Sequence, residues 1–289
     1  MFFIQIKIVI LRDIQKMGKN NLIILSLALL INSCSGYERL LKSSDYELKH
    51  RKAFEYYNKG DYVRASTLFD QIVAIYRGTN KADSLNYFQA MSYFHQDDYI
   101  LAGHYFDSFI KIFGNSKFSE EANYYRAYCY YLISPAASLD QTNTIQALQA
   151  FQLFLIKYSD SKRTPECRTM INELRDKLVE KSYMSAKLYF DLEDYKASIV
   201  ALNSSLIDYP ESKYREEIMF FILKSSFLLA YNSIEKKQKE RYQATIDEYY
   251  SFIAEFPDSK YRKEAEKIFE NSTKVLNTDI TKIQLVDGL

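Results

Sequence analysis

Few residues of this sequence could carry out catalysis or hold a metal ion. Its three histidines are His50, His95 and His104. None of them follows an HExxH-type spacing or lies near a pair of cysteines. Asp97 and Asp98 resemble the paired carboxylates of acid–base catalysis, but they precede Tyr99 in a predicted turn, where such residues cap helices. The scattered glycines form no phosphate-binding loop, and we therefore predict no enzyme, no cofactor and no metal site.

Cys34 is the residue whose surroundings predict a covalent modification. It follows an apolar run, Leu22 to Ile31, which suits the core of a signal peptide and is too short for a membrane-spanning helix of ~20 residues. Residues 31–34 read Ile-Asn-Ser-Cys and resemble the cleavage box of bacterial lipoproteins. The resemblance implies that residues 17–33 are a lipoprotein signal peptide. It also implies that Cys34 becomes the first residue of the mature protein and carries acyl chains such as palmitate.

Two questions about this leader stay open. An ordinary secretory signal followed by a chance cysteine is the alternative to lipidation of Cys34. Residues 1–16 contain a second apolar run and precede Met17, which would be a conventional start, so we interpret Met1 as an incorrectly assigned start. No acidic run follows Cys34. Some bacterial lipoproteins use such a run to reach the cell surface, and its absence favours the periplasmic face.

A short phrase, which we call the Ser-Lys phrase, occurs four times and marks the elements of the fold. Each copy has an aromatic residue, a turn residue, then Asn, Asp or Glu, then Ser and Lys; the copies are residues 113–117, 158–162, 209–213 and 256–260. The aromatic residue is predicted to close one helix, and the polar oxygens to cap the next. A phrase that returns every few dozen residues indicates a helical repeat protein, which mostly works by offering a binding surface.

The helices between these phrases align on a small residue that lets two helices approach. The first helix of each pair carries Ala-x-x-Tyr, anchored at Ala53, Ala90, Ala127 and Ala186. The first two steps are 37 residues each (53 to 90 and 90 to 127). This pattern resembles the tetratricopeptide repeat, a helix–turn–helix of about 34 residues. The other two cysteines, Cys129 and Cys167, lie in helical pattern; we interpret them as buried apolar residues, and their spacing leaves a disulfide open.

We therefore predict an all-α fold, a tetratricopeptide-repeat solenoid of about five helix pairs. The repeats cover residues 47–276, after a lipid-anchored linker at residues 34–46. The tail at residues 277–289 loses helical pattern, and it is either disordered or ordered by a partner. Scarce Gly (7) and Pro (4) favour helices over sheet. Lys+Arg 38 against Asp+Glu 37 gives a net charge of +1, which argues against a nucleic-acid partner.

Two insertions interrupt the repeat. Residues 134–144 lie within the third repeat, and residues 232–243, rich in Lys and Glu, lie within the fifth. Insertions of this kind map to loops that often contact partners. For the charged insertion, a solvated helix end is the alternative.

The first insertion carries a more specific resemblance. Ser134-Pro135 followed by Asp140-Gln141-x-x-Thr144 resembles the interrupted third repeat of the BamD family, lipoproteins of outer-membrane protein assembly. Later motifs follow in the same order, and the resemblance covers nearly the whole mature chain. It implies a lipid-anchored scaffold of the β-barrel assembly machinery, at the periplasmic face of the outer membrane.

The same resemblance implies the partners. They are the periplasmic domains of a BamA-like β-barrel insertase, unfolded outer-membrane proteins, and the lipid bilayer through acylated Cys34. Two alternatives share parts of the sequence pattern. One is another periplasmic repeat lipoprotein that acts as an adaptor in envelope or cell-wall maintenance. The other is a glycan-binding outer-membrane lipoprotein, a class that is typically much longer than this chain.

A peptide-binding groove is predicted on the first helix of each repeat. The residues three before, one after and four after the Ala anchor should face it. In the first three repeats the candidates are Phe54, Tyr57, Tyr87, Met91, Phe94, Tyr124, Tyr128 and Tyr131, beside His50, and in the fourth Tyr183, Lys187 and Phe190. Rigid aromatic rings suit an extended apolar peptide because they give large contact area at low entropy cost. The alternative is that some of them pack between repeats.

Overall fold

The computed structural model describes the backbone of residues 36–286 and the side chains of residues 36–277. The predicted signal peptide and Cys34 lie outside the described residues, so the predictions made for them stay predictions. The predicted domain boundaries likewise remain predictions. None of the helices in residues 36–286 combines the length and the hydropathy that a membrane span requires.

The regular structure of residues 36–286 is entirely helical, which confirms the predicted all-α tetratricopeptide-repeat class. The helices are α1 (36–42), α2 (Tyr46–Asn58), α3 (Tyr62–Ile72), α4 (Ala82–Phe94), α5 (Tyr99–Ile112), α6 (Ser119–Leu132), α7 (Thr142–Lys157), α8 (Thr164–Asp191), α9 (Tyr195–Asp208), α10 (Arg215–Tyr231), α11 (Glu235–Glu255) and α12 (Arg262–Val286). The pairs from α2–α3 to α10–α11 correspond to the predicted repeats. Helix α12 continues through residues 277–286, where the sequence loses helical pattern.

The helices form two compact units, and the boundary between them lies inside α6, after Cys129. Each unit has its own core of fully buried side chains. The first core includes Leu68, Phe69, Ile72, Phe106 and Phe109, and the second includes Phe151, Leu174, Leu202, Ile218 and Phe252. These residues recur on one face of successive helices, so each pair buries its apolar stripe against its neighbours.

The small residues of the alignment lie where the predicted crossings require them. Ala53, Ala90 and Ala127 on the first helices are 0% exposed, as are Ala65 and Ala102 on the second helices. A small side chain at these points lets two helix backbones approach closely.

Cys129 and Cys167 are free, buried thiols. Burial raises the pKa of the Cys129 thiol to about 12 and that of Cys167 to about 11. Both groups are therefore neutral and unreactive at physiological pH, as expected for apolar packing residues.

The turns inside the repeats explain the adjacent carboxylates. The carboxylate of Asp98 accepts a hydrogen bond from the amide of Leu101 (3.1 Å) and caps α5. Asp97 adopts a left-handed backbone (φ 59°), and its carboxylate accepts a hydrogen bond from the Tyr99 hydroxyl (2.6 Å). Asp98 is therefore a helix cap, as interpreted, and Asp97 lies in the turn before it. The same N-cap bond is made by Asp45, Asp61 and Asp194.

Glu193 precedes one of these caps with a left-handed backbone (φ 61°), where the first repeat has Gly60 (φ 79°). We expect Glu193→Gly to raise the free energy of unfolding by about 0.5 kcal/mol. The left-handed conformation costs an L-residue roughly 1–2 kcal/mol, and the greater freedom of glycine in the unfolded chain offsets part of this. Urea unfolding followed by circular dichroism measures the change. The matched control, Gly60→Ala, should lower stability by about 1 kcal/mol; a gain there would contradict the argument.

The four Ser-Lys phrases have one geometry. In each copy the serine amide donates to the carbonyl of the aromatic residue that closes the preceding helix, at 2.9–3.2 Å. The serine hydroxyl then accepts a hydrogen bond from the amide two residues on, and this contact recurs at Ser116, Ser161, Ser212 and Ser259. This contact orders the turn ahead of the next helix in all four copies. The N-cap residues of α8 and α10 are Arg163 and Tyr214, and neither makes a side-chain capping bond. The prediction that the serine caps the next helix is therefore wrong for these two helices.

The first insertion is an ordered loop between α6 and α7. The side-chain amide of Gln141 donates to the carbonyls of Ala136 (2.9 Å) and Leu139 (3.0 Å), and its oxygen accepts a hydrogen bond from the Thr144 hydroxyl (2.7 Å). The hydroxyls of Thr144 and Ser134 lie 2.7 Å apart. Ser134, Gln141 and Thr144, which carry the family resemblance, thus hold the loop in shape. Most of the second insertion belongs to a helix, because α11 begins at Glu235. This agrees with the alternative interpretation of residues 232–243 as a solvated helix end.

Lys177 on α8 fixes this loop from the side, because its ammonium donates to the carbonyl (3.2 Å) and the hydroxyl (2.7 Å) of Ser134. We expect Lys177→Met to lower the free energy of unfolding by about 1–2 kcal/mol, since a charged donor to two part-buried oxygens is lost. The control is Lys181→Met. Lys181 makes a single exposed bond to the Ser138 carbonyl (2.9 Å), so its loss should cost less than about 0.5 kcal/mol. Equal losses in urea unfolding would contradict the prediction.

Candidate peptide-binding surface

The predicted groove residues divide into a buried set and a half-buried set. Tyr87 (7% exposed), Met91 (6%) and Tyr124 (3%) are buried in the core of the first unit, and so offer little surface to a ligand. The half-buried set comprises His50, Phe54, Tyr57, Phe94, Tyr128 and Tyr131. In the fourth repeat Tyr183 is buried (8%), whereas Lys187 and Phe190 are half-buried. The prediction that all these side chains face an open groove is therefore corrected for the buried ones.

The buried aromatic residues are covered by the residue that follows the Ser-Lys phrase. Phe118 stacks on Tyr87 with ring centroids 4.5 Å apart and an interplanar angle of 11°. In the second unit Tyr214 stacks on Tyr183 in the same way (4.5 Å, 8°), and Tyr261 stacks on Phe220 (4.2 Å, 6°). In these three copies the residue after the phrase is aromatic, and its ring packs on the first helix of the preceding repeat.

The lysine of each of these phrases lies over the ring of the residue that follows it. The amines of Lys117, Lys213 and Lys260 lie 4.9, 5.2 and 4.8 Å from the centroids of the rings at positions 118, 214 and 261. Such cation–π contacts are worth about 0.5–1 kcal/mol at exposed sites. The sequence carried a signal for this lysine–ring–ring arrangement, because three of the four phrases are followed directly by Phe or Tyr.

Met91 and Tyr124 are buried by contacts other than these ring stacks. Met91 belongs to the same core cluster as Phe106 and Phe109 on α5. The Tyr124 ring stacks on Tyr128 (5.6 Å, 19°), so Tyr124 fills the interior and Tyr128 covers it. Met91 and Tyr124 therefore belong to the interior that lies under the half-buried rings.

A second aromatic position, two residues before the Ala anchor, was missed by the sequence reasoning. Phe88 packs edge-on against Tyr57 of the preceding first helix (4.9 Å, 77°) and against Phe54 (5.2 Å, 76°). Tyr125 packs in the same way against Phe94 (4.8 Å, 63°). All of these rings are half-buried. We call six of the half-buried rings of the first unit, namely Phe54, Tyr57, Phe88, Phe94, Tyr125 and Tyr128, the aromatic ladder.

Three titratable groups in or beside the ladder, Tyr57, Tyr99 and His95, are neutral. Burial raises the pKa of Tyr57 to about 12, and the hydrogen bond from Tyr99 to Asp97 raises the pKa of Tyr99 to about 12. His95 stacks on Tyr62 (4.4 Å, 21°), and burial lowers its pKa below the ordinary histidine value. At neutral pH the ladder therefore presents rings, hydroxyls and a neutral imidazole, which suits an apolar chain with a few hydrogen-bonding groups.

In the second unit the corresponding helices carry charge, as predicted for the fourth repeat. The Lys187 amine lies 5.2 Å from the centroid of Phe221 and pairs with Asp191 (2.7 Å). Lys224, one repeat later, lies 5.9 Å from the centroid of Phe190. Tyr131, at the start of this unit, donates its hydroxyl proton to Glu173 and packs edge-on against Phe151 (6.4 Å).

No group of three or more His, Cys, Asp or Glu side chains in the described part of the chain could hold a metal ion. What the described rings and hydroxyls can do is bind an extended chain by apolar contact, with hydrogen bonds at the ends of the tyrosines.

Comparisons with known proteins place these features in context. The family model YfiO, described as an outer membrane lipoprotein, matches residues 44–240. No curated protein matches the sequence at a significant level. Among solved structures the chain is similar to the P58(IPK) TPR domain, at 15% identity over 84% of this chain and 68% of that chain (TM-score 0.39). It is also similar to the TPR2AB-domain:pHSP90 complex of yeast Sti1, at 11% identity over 80% of this chain and 99% of that chain (TM-score 0.36).

Proposed function

This chain belongs to the YfiO family of outer membrane lipoproteins, and we propose that it is a lipid-anchored periplasmic scaffold of the β-barrel assembly machinery. In this role it binds the periplasmic domains of a BamA-like insertase and receives unfolded outer-membrane proteins. The observation that carries the proposal is the family match over residues 44–240, which includes the Ser-Pro insertion and the whole aromatic ladder. Acylation of Cys34 would hold this scaffold at the bilayer.

The aromatic ladder supports the binding of an extended, aromatic-ended peptide to the first unit. Its rings are already packed edge-on against each other, so little conformational entropy remains to be lost when a peptide binds. The carboxyl-terminal strand of a barrel protein alternates apolar and polar side chains. One apolar face of such a strand matches a row of half-buried rings.

Tyr128→Ala tests the ladder directly. We expect it to weaken binding of a peptide ending in Phe by ~1–2 kcal/mol, about 5- to 30-fold, as for a moderate hot spot. Titration calorimetry measures the affinity, and circular dichroism checks that the fold is intact. The control is Tyr46→Ala, which removes a more exposed tyrosine (40%) of α2 outside the ladder and should leave the affinity within twofold. Unchanged affinity in a folded Tyr128→Ala protein would contradict the role of the ladder.

The proposal as a whole is tested by affinity purification from native membranes. We expect a large β-barrel protein with periplasmic repeats to copurify with the full-length chain, and mass spectrometry to find acyl chains on Cys34. Recovery of cell-wall enzymes instead would favour the adaptor alternative. A sugar transporter would favour the glycan-binding alternative, and an intact leader with unmodified Cys34 would contradict lipid anchoring.

A further inference from the structure

A cavity of about 510 Å³ lies between α1 and α2, at the end of the described chain that is nearest in sequence to Cys34. Leu40 and the rings of Tyr37 and Tyr56 form its apolar part. Ser43, Arg39 and Lys52 form its polar part, and both of its charged side chains are cationic. A cavity of this composition suits a ligand with an anionic head and an apolar body.

The apolar part of the cavity is built before any ligand binds. The rings of Tyr37 and Tyr56 pack edge-on at 5.6 Å, and the Tyr37 hydroxyl donates to the Arg64 carbonyl (3.3 Å). The Arg64 guanidinium lies 5.3 Å from the Tyr37 ring centroid and 5.7 Å from that of Tyr56. Leu40 is only 8% exposed. The rings are therefore held on two sides.

The lysine side of the cavity keeps a net positive charge. Lys52 pairs with Glu55 (2.7 Å), but Glu55 also pairs with Lys59 (2.7 Å), so two amines share one carboxylate. These two hydrogen bonds lower the pKa of Glu55 to about 2, and it remains ionised. The side chains are 39–65% exposed, so Lys52 can turn toward an anion without loss of a buried contact.

The short sequence distance between the cavity and Cys34 indicates which ligand the cavity binds. Gly36, at its edge, is two residues after Cys34, so acyl chains on Cys34 start within about 7 Å of it. The headgroup region on each side of a bilayer is of similar thickness, roughly 5–7 Å. A cavity held at this distance from the anchor faces lipid headgroups rather than free solutes.

We propose that this cavity binds the phosphate of an anionic phospholipid in the leaflet that carries the anchor. The inference rests on the proposed acylation of Cys34. Arg39 and Lys52 bind the phosphate, and the tyrosine rings and Leu40 contact the glycerol and the start of the acyl chains. Together with the anchor, this second contact fixes the orientation of α1 and α2 relative to the membrane.

The test uses the full-length protein, purified from membranes in detergent, with bound lipid measured by native mass spectrometry. Phosphatidylglycerol, phosphatidylethanolamine and inorganic phosphate are added in separate arms. We expect one phosphatidylglycerol to bind about tenfold more tightly than phosphatidylethanolamine. The double variant Arg39→Gln/Lys52→Gln should weaken that binding about tenfold or more, because two charged contacts to phosphate are lost.

The matched control is Lys236→Gln/Lys239→Gln, which removes the same charge from exposed positions of α11 and should change binding less than twofold. Equal effects of the two double variants would overturn the inference, as would displacement of the lipid by equimolar inorganic phosphate. The intact mass in the same spectra reports acylation of Cys34. An unmodified Cys34 contradicts the proposed anchoring, whereas acylated protein without lipid selectivity contradicts the cavity alone.

Discussion

Phe118→Ala is expected to lower the free energy of unfolding by about 3 kcal/mol. The variant removes the ring that stacks on Tyr87 at 4.5 Å, its edge contact with Phe88 (5.8 Å), and the cation–π contact of Lys117. It also opens the buried face of Tyr87 to water. Truncation of a packed phenylalanine costs 3–5 kcal/mol when fully buried, and Phe118 is half-buried.

A double-mutant cycle separates the stack from the rest of this loss. Phe118→Ala, Tyr87→Ala and the double variant should show a coupling of about 1 kcal/mol in urea unfolding. The control, Lys117→Met, keeps both rings and removes only the amine above them, so it should cost about 0.5 kcal/mol. If Phe118→Ala costs no more than Lys117→Met, the ring stack contributes little to stability.

Ala90→Leu is expected to be at least as damaging, with a loss of about 3 kcal/mol or more. Ala90 is 0% exposed and packs in one cluster with Ala102, Phe106 and Phe109. A leucine here has to push the helices apart or force neighbouring rings out of their rotamers, since a close-packed interior has no room for the added carbon atoms. Circular dichroism during urea unfolding measures the loss.

The series Ala90→Ser, Ala90→Val and Ala90→Leu keeps the prediction testable if the leucine variant fails to fold. Stability should fall in that order with side-chain volume. The same Ala→Leu change at Ala254, on the exposed face of α11, should alter stability by less than about 0.5 kcal/mol. A stable Ala90→Leu protein would show that the helix crossing does not require a small residue.

The sequence predicted the repeats well because its signals are local. The Ala anchors, the capping aspartates and the Ser-Lys phrases each depend on one helix crossing or one turn, and the structure has them at the expected residues. The exposed side of the first helices was harder to predict. The position of Tyr87 relative to Ala90 places it on the groove side. Whether the Tyr87 ring is exposed depends on Phe118, a residue 31 positions later (87 to 118).

Two other differences between the prediction and the structure also arise from contacts between residues that are far apart in sequence. Phe88 and Tyr125 belong to the ladder because each packs against the preceding repeat, and a rule that counts positions within one repeat does not see this contact. The ordered insertion was identified by Ser134, Gln141 and Thr144, yet its attachment depends on Lys177, 43 residues beyond Ser134 (134 to 177). Contacts between repeats, rather than local pattern, set these details.

The ring stacks have a consequence for how the second unit unfolds. Tyr214 links α8 to the turn before α10, and Tyr261 links α10 to the turn before α12, so two successive nearest-neighbour interfaces share one design. In a linear array, strong interfaces of this kind make repeats melt together rather than one at a time. Amides of α8, α10 and their partner helices should therefore exchange their hydrogens through a single cooperative event.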